Sequence, residues 1–66
     1  MANTESENFY SNGDTVEIKL DDAPWLPATV VGFDTVTTYF GVRNRWSVRT
    51  LNGIVFEVGD SKIRPV

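Results

Sequence analysis

The segment Trp25-Leu26-Pro27-Ala28-Thr29-Val30-Val31-Gly32-Phe33 decides the fold of this 66-residue chain. It opens the longest predicted strand, which is expected to extend from Leu26 to Val36. Pro27 lacks an N–H donor and fits the start of a strand or a sheet edge. Gly32 predicts a bend or bulge, after which Phe33 can turn back towards the core. The segment therefore predicts a long strand with a sharp bend.

Four shorter strands surround it. Alternating polar and apolar residues predict strands over residues 15–20, 46–51, 54–58 and 63–66. Asn52-Gly53 predicts a type I′ hairpin turn, residues 59–62 a short turn of helix, and residues 37–45 a long connection, in part a hairpin arm. The side chains expected to face the core are Val16, Ile18, Leu20, Ala28, Val30, Trp46, Val48, Thr50, Ile54, Phe56 and Val58.

This order of strands, with Gly13-Asp14-Thr15-Val16 before it and Ile63-Arg64-Pro65 at its end, is that of a five-stranded SH3-like barrel. Residues 13–66 resemble Tudor domains and the C-terminal domains of retroelement integrases. The predicted fold is therefore all-β, a Tudor-like barrel over residues 10–66, after a polar, acidic tail over residues 1–9 that is expected to be disordered. Such a lone domain fits a phage or mobile element.

The resemblance implies ligands as well as a fold. Tudor domains bind methylated side chains in an aromatic cage, whose rings would fall near Lys19, Leu26, Arg49 and Asn52; none is aromatic, so this activity is not expected. Integrase domains bind nucleic acid through a basic cluster. The chain is also loosely similar to the small tetrameric dihydrofolate reductases. It lacks their active strand, however, since the comparable segment reads Val55-Phe56-Glu57-Val58.

Composition restricts the chemistry. The chain has no Cys and no His, which removes disulfides and Cys/His zinc sites and leaves its serines without a His to activate them. Asp21-Asp22 has no visible further ligand and is interpreted as a solvated loop. We therefore expect no enzyme, cofactor or metal. No apolar run approaches the ~20 residues of a membrane span, so a cytoplasmic protein without membrane contact is expected.

Charge is distributed unevenly along the chain. Residues 1–34 carry seven acids and one base, a balance of −6, and residues 35–66 carry two acids and five bases, a balance of +3, giving −3 in total. Nucleic-acid binders normally show a basic excess or a basic face. The total therefore opposes nucleic-acid binding, while residues 43–49 are locally basic.

Seven residues are candidates for binding. Trp25 is expected either to cover the core or to contact a partner, and Trp46 either to lie in the core or to form a partly exposed platform. Tyr39 and Phe40 either fold back on the barrel or form, with nearby arginines, a tip that docks on a partner. Arg49 either pairs with Glu57 across two strands or contacts a ligand. The candidate set is Trp25, Tyr39, Phe40, Arg43, Arg45, Trp46 and Arg49.

The sequence supports two hypotheses about function, and both are binding functions. The preferred hypothesis is a protein-interaction or regulatory module with a protein partner. Self-association through an exposed strand edge, or through an apolar face of Val31, Leu51 and Val55, is a further option. The alternative is a nucleic-acid-binding domain that uses the basic segment 43–49.

Overall fold

Five antiparallel strands form one sheet in the computed structural model, which describes residues 10–66. The elements are β1 (Thr15–Ile18), β2 (Leu26–Thr38), β3 (Gly41–Thr50), β4 (Val55–Val58), a one-turn 3₁₀ helix (Asp60–Lys62) and β5 (Ile63–Pro65). The prediction of an all-β domain is confirmed. The tail predicted for residues 1–9 lies outside the described residues.

The strand order leaves the sheet open. The strands lie in the order β4-β3-β2-β1-β5, so within residues 10–66 β4 and β5 form the two edges and are not paired with each other. A hydrogen bond of 2.9 Å from the backbone N–H of Lys19 to the carbonyl of Lys62 ties the end of β1 to the 3₁₀ helix. The strand pairing therefore gives a five-stranded sheet without the closure expected of a full barrel.

A bulge in β2 bends the sheet. Val30 lies opposite Val48, but Gly32 lies opposite Ser47, so Val31 is an extra residue in the β2–β3 ladder. The predicted bulge is confirmed. It returns Phe33 to the core side opposite Trp46, with ring centroids 4.4 Å apart, although Phe33 remains 46% exposed.

The core lies on one face of the bent sheet. Its buried members are Val16, Ile18, Ala28, Val30, Trp46, Val48, Val58 and Ile63. Leu20 and Phe56, predicted to face inward, are only partly buried but pack against this cluster. Burying one Val or Ile side chain contributes about 1.5–3 kcal/mol, so these strands are held mainly by their alternating apolar positions.

The turn after β3 differs from the predicted type I′ turn. The N–H of Gly53 donates to the carbonyl of Thr50 at 2.9 Å, so Leu51 and Asn52 are the central residues. Within residues 10–66 only glycines have positive φ, and Gly53 has φ +87°. A type I′ turn needs positive φ at both central residues, so this loop is instead a three-residue turn closed by glycine. The prediction that Ile54 faces the core is wrong, because this side chain precedes β4 and is 49% exposed.

Candidate functional site

The β2–β3 hairpin continues well beyond the core. Residues 37–45, predicted as a long connection that is in part a hairpin arm, belong to a paired hairpin: the ladder continues from Thr35 opposite Asn44 to Thr38 opposite Gly41 and leaves only Tyr39 and Phe40 unpaired at its end. The run Thr35-Val36-Thr37-Thr38 consists of β-branched residues, which favour strands. We call residues 35–44 the hairpin arm; four residue pairs extend it by roughly 13 Å.

The tip of the arm is a tight turn at Tyr39 and Phe40. The hydroxyl of Thr38 accepts a bond of 3.1 Å from the Phe40 N–H and donates one of 3.0 Å to the Gly41 carbonyl. Gly41 has φ +124°, a conformation that side chains rarely adopt. The turn shares the Thr-x-x-Gly sequence of Thr50-Leu51-Asn52-Gly53, but Gly41 lies opposite Thr38 in the ladder, whereas Gly53 lies inside the loop between Thr50 and Ile54.

The two rings of the tip are exposed. Tyr39 is 96% and Phe40 84% exposed, and Val42 beside them is 67% exposed. The rings contact each other edge to face, with centroids 5.3 Å apart. Of the two sequence interpretations, the one in which the rings fold back on the core is therefore wrong.

The three arginines of β3 share the face opposite to the core but differ in their partners. Arg45 Nη2 lies 2.9 Å from Asp34 Oδ2, and Nη1 lies 3.7 Å from Glu57 Oε1. Hydrogen bonding to Arg45, then to the Thr35 N–H, lowers the pKa of Asp34. Within residues 10–66, Arg43 and Arg49 form no ion pair.

The expected ion pair between Arg49 and Glu57 does not form. Glu57 lies opposite Ser47, and Arg49 lies opposite Val55. Arg45 and Arg49 are thus both diagonal to Glu57, and the diagonal towards Arg45 is the one occupied. Arg49 remains exposed to solvent beside Val55.

A shallow groove runs beside the base of the arm. Val42, Arg43 and Asn44 line one side, and residues 59–61 line the other, enclosing about 350 Å³. The Asn44 amide donates a 3.0 Å bond to Asp60 Oδ2, which fixes the base of the arm to the 3₁₀ helix. Sequence reasoning missed this contact, because the two residues are far apart in the chain.

Trp25 lies at the other end of β2 from the tip. Its side chain is half-buried, and the Arg64 guanidinium lies 4.0 Å from the centre of its ring. Arg64 Nε in turn donates a 2.9 Å bond to Glu17 Oε1. One ring face is therefore occupied by a cation from the chain itself, and the structure does not bring Trp25 together with Tyr39 and Phe40.

Trp46 lies in the core and does not form a platform. It is 1% exposed and packs edge to face against Tyr10, with ring centroids 5.0 Å apart. Burial, and then the charge of Asp60, raises the pKa of Tyr10. The strand register explains why Trp46 is buried, since its side chain shares the inward face of β3 with Val48 and lies opposite Val58.

Among residues 10–66, no group of three or more His, Cys, Asp or Glu side chains is arranged to hold a metal ion. In the same part of the chain, no helix has the length and apolar character needed to cross a membrane.

No protein-family model matches the chain, and neither a curated protein nor a solved structure does.

Proposed function

We propose that this chain is a small SH3-like domain that acts as a protein-interaction module, and that it binds its partner through the tip of the hairpin arm. The sheet order, together with a one-turn 3₁₀ helix between β4 and β5, supports the SH3-like assignment. The role is binding and not catalysis, and the same contact can serve regulation.

One observation carries the proposal: two aromatic rings are almost fully exposed at the end of an ordered arm. Tyr39 and Phe40 are 96% and 84% exposed. Two adjacent rings in water are unfavourable unless a partner covers them, and exposed apolar groups of this kind mark interaction sites. The paired strands and the Thr38 hydroxyl fix the turn before binding. Little conformational entropy is then lost when a partner covers the rings.

Arg43 completes the proposed contact surface. It lies on β3 opposite Val36, near the tip but on the face of the arm opposite to the Val42 side chain, and it forms no ion pair within the described residues, whereas Arg45 is occupied by Asp34. Tyr and Arg are enriched among the residues that dominate binding energy at protein interfaces. The proposed partner surface therefore combines an apolar pocket for the rings with a carboxylate for Arg43.

A nucleic-acid-binding domain is the second candidate. Arg43, Arg45 and Arg49 alternate along one face of β3, and exposed rings can stack on single-stranded bases. The pairing of Arg45 with Asp34 and Glu57, and a net charge of −3, oppose it. Binding by this route falls steeply as salt rises, because phosphate contacts release counterions.

The test uses a matched pair of turns. The wild-type domain, the double variant Tyr39→Ser/Phe40→Ser and the control Leu51→Ser are each used to capture partners from cell extract. Leu51 is 87% exposed in the second Thr-x-x-Gly turn, so its replacement removes a similar exposed apolar group elsewhere. We expect a saturable partner that the control retains and the arm variant loses.

Two results would contradict the proposal. An identical set of captured proteins for the wild type and the arm variant would show that the tip of the arm does not bind the partner. Amide shifts at residues 43–49 on titration with a short single strand at low salt, lost as salt rises, would favour nucleic-acid binding instead.

A further inference from the structure

We infer that the free edge of β4 pairs with the β4 edge of a second copy of this chain, joining two five-stranded sheets into one. The hairpin arm takes no part in this contact. The strand order leaves two edges open, β4 and β5, and only the β4 edge is well suited to pairing.

The β5 edge is poorly suited to pairing. It has three residues and ends in Pro65, which has no N–H to donate. The β4 edge has four residues, Val55–Val58, without proline and with Glu57 as its one charge. β4 is therefore the edge on which a further strand can add.

The hydrogen-bond pattern identifies the free groups of β4. The Thr50 N–H donates to the Ile54 carbonyl at 2.9 Å, so this pair is a bonded position of the β3–β4 ladder. Bonded and non-bonded positions alternate along an antiparallel pair. Phe56 and Val58 are then bonded to β3, while the N–H and C=O groups of Val55 and Glu57 point away from it.

A two-fold axis at Phe56 satisfies these groups. Antiparallel pairing about that residue places Val55 of each copy opposite Glu57 of the other, and each pair exchanges two backbone bonds. The two Phe56 rings meet at the non-bonded position between them, where side chains approach most closely. An axis at Glu57 instead would place two carboxylates opposite each other.

Charge complementarity also favours a second copy. In this register, Glu57 of one copy lies next to Val55 of the other, and Val55 lies opposite Arg49 within its own sheet. The backbone of Arg49 is two strand spacings, roughly 10 Å, from the backbone of Glu57 in the other copy. The two long side chains can span this distance. Arg49, without an ion pair inside the described residues, thus gains an acidic partner on association.

Amide hydrogen exchange tests the register directly. Exchange rates are measured by NMR on the whole domain at protein concentrations from about 10 μM to about 1 mM, because a four-residue edge gives a weak dimer. We expect Phe56 and Val58 to be protected throughout, and Val55 and Glu57 to become protected only as concentration rises. Exchange at Val55 and Glu57 that does not change with concentration overturns the inference, whether or not the protein self-associates.

Charge substitutions at Val55 provide a second test. Val55→Lys faces Glu57 of the other copy and should tighten the dimer about three- to tenfold; Val55→Glu should weaken it by a similar factor. Within one chain, position 55 lies opposite Arg49, so Glu should stabilise the fold relative to Lys. Weaker association of Val55→Glu than of Val55→Lys would therefore not follow from loss of folding. Leu51→Lys and Leu51→Glu control for the change in net charge, and equal effects at both positions would overturn the inference.

Discussion

The indole N–H of Trp46 donates a 2.9 Å hydrogen bond to Oδ1 of Asp60. Trp46 is among the largest fully buried side chains, at 1% exposure, and Asp60 begins the 3₁₀ helix between the edge strands. The other carboxylate oxygen accepts a 3.0 Å bond from Asn44. One carboxylate thus joins the core, the base of the arm and the connection between the two edge strands.

Removing this carboxylate should destabilise the fold. We expect Asp60→Ala to lower the free energy of unfolding by about 1–3 kcal/mol, because hydrogen bonds to charged groups contribute in that range. Asp60→Asn should cost less, since it retains an oxygen for one of the two donors. Urea denaturation followed by Trp fluorescence measures both, with Ser61→Ala as a control on the same helix. Equal stability of wild type and Asp60→Ala would show that the bond contributes nothing.

Tyr10 should make stability depend on alkaline pH. Burial, and then the charge of Asp60, raises the pKa of Tyr10 in the folded state. The neutral phenol is therefore favoured by folding, so this contribution is fully present below the unfolded pKa of about 10 and is lost as pH rises through the folded pKa. We expect Tyr10→Phe to flatten the fall in melting temperature above that pH. An unchanged alkaline profile in the variant would contradict this.

Gly41 should resist substitution more strongly than Gly32. A residue with a side chain at position 41 would have to keep the backbone at φ +124°, although no atom obstructs its Cβ. A Cβ on Gly32 would meet the Cβ of Ser47 at 3.5 Å, an ordinary contact distance. Backbone strain of this kind costs about 1–3 kcal/mol. Gly41→Ala should therefore lose about that much stability by chemical denaturation, and Gly32→Ala less than about 1 kcal/mol. The reverse order would show that the bulge, and not the turn, needs glycine.

The ion pair between Arg45 and Asp34 should be visible in a titration. The hydrogen bond from Arg45 lowers the pKa of Asp34, with the Thr35 N–H as a second cause. A lowered folded pKa stabilises the fold above the unfolded value of about 3.9, and this contribution disappears as pH falls through the folded pKa. In Arg45→Gln, carboxyl NMR should find the Asp34 pKa nearer its ordinary value. Arg49→Gln is the matched control and should leave it unchanged.

Much of the sheet could be predicted because side-chain alternation and glycine act locally. Val16, Ile18, Ala28 and Val30 face the core as the alternation predicts, and the bulge occurs beside Gly32. Closure of the sheet into a barrel depends on how β4 and β5 approach each other, which no local pattern records. The open strand order is therefore information that only the structure adds.

The arm and its charges were harder to predict. Thr38-Tyr39-Phe40-Gly41 contains no Asn-Gly signal, so a hairpin arm was predicted for only part of residues 37–45 and no turn was placed at Tyr39 and Phe40, although the β-branched run before them and the repeated Thr-x-x-Gly pattern could have indicated one. The choice of Arg45 over Arg49 as the partner of Glu57 depends on which of two diagonals the twisted sheet shortens. Such cross-strand geometry is set by the assembled sheet and not by one strand.

The tip rings should contribute to binding without contributing to folding. Because Tyr39 and Phe40 contact solvent and each other, we expect Tyr39→Ser/Phe40→Ser to change the free energy of unfolding by less than about 0.5 kcal/mol. Trp46→Ser, in contrast, should prevent stable folding, since truncating a buried aromatic residue costs about 3–5 kcal/mol. Urea denaturation of the three proteins measures the difference. A loss above about 1 kcal/mol in the tip variant would mean that the rings pack against the domain in solution, and its loss of partner binding could then no longer be attributed to a missing contact.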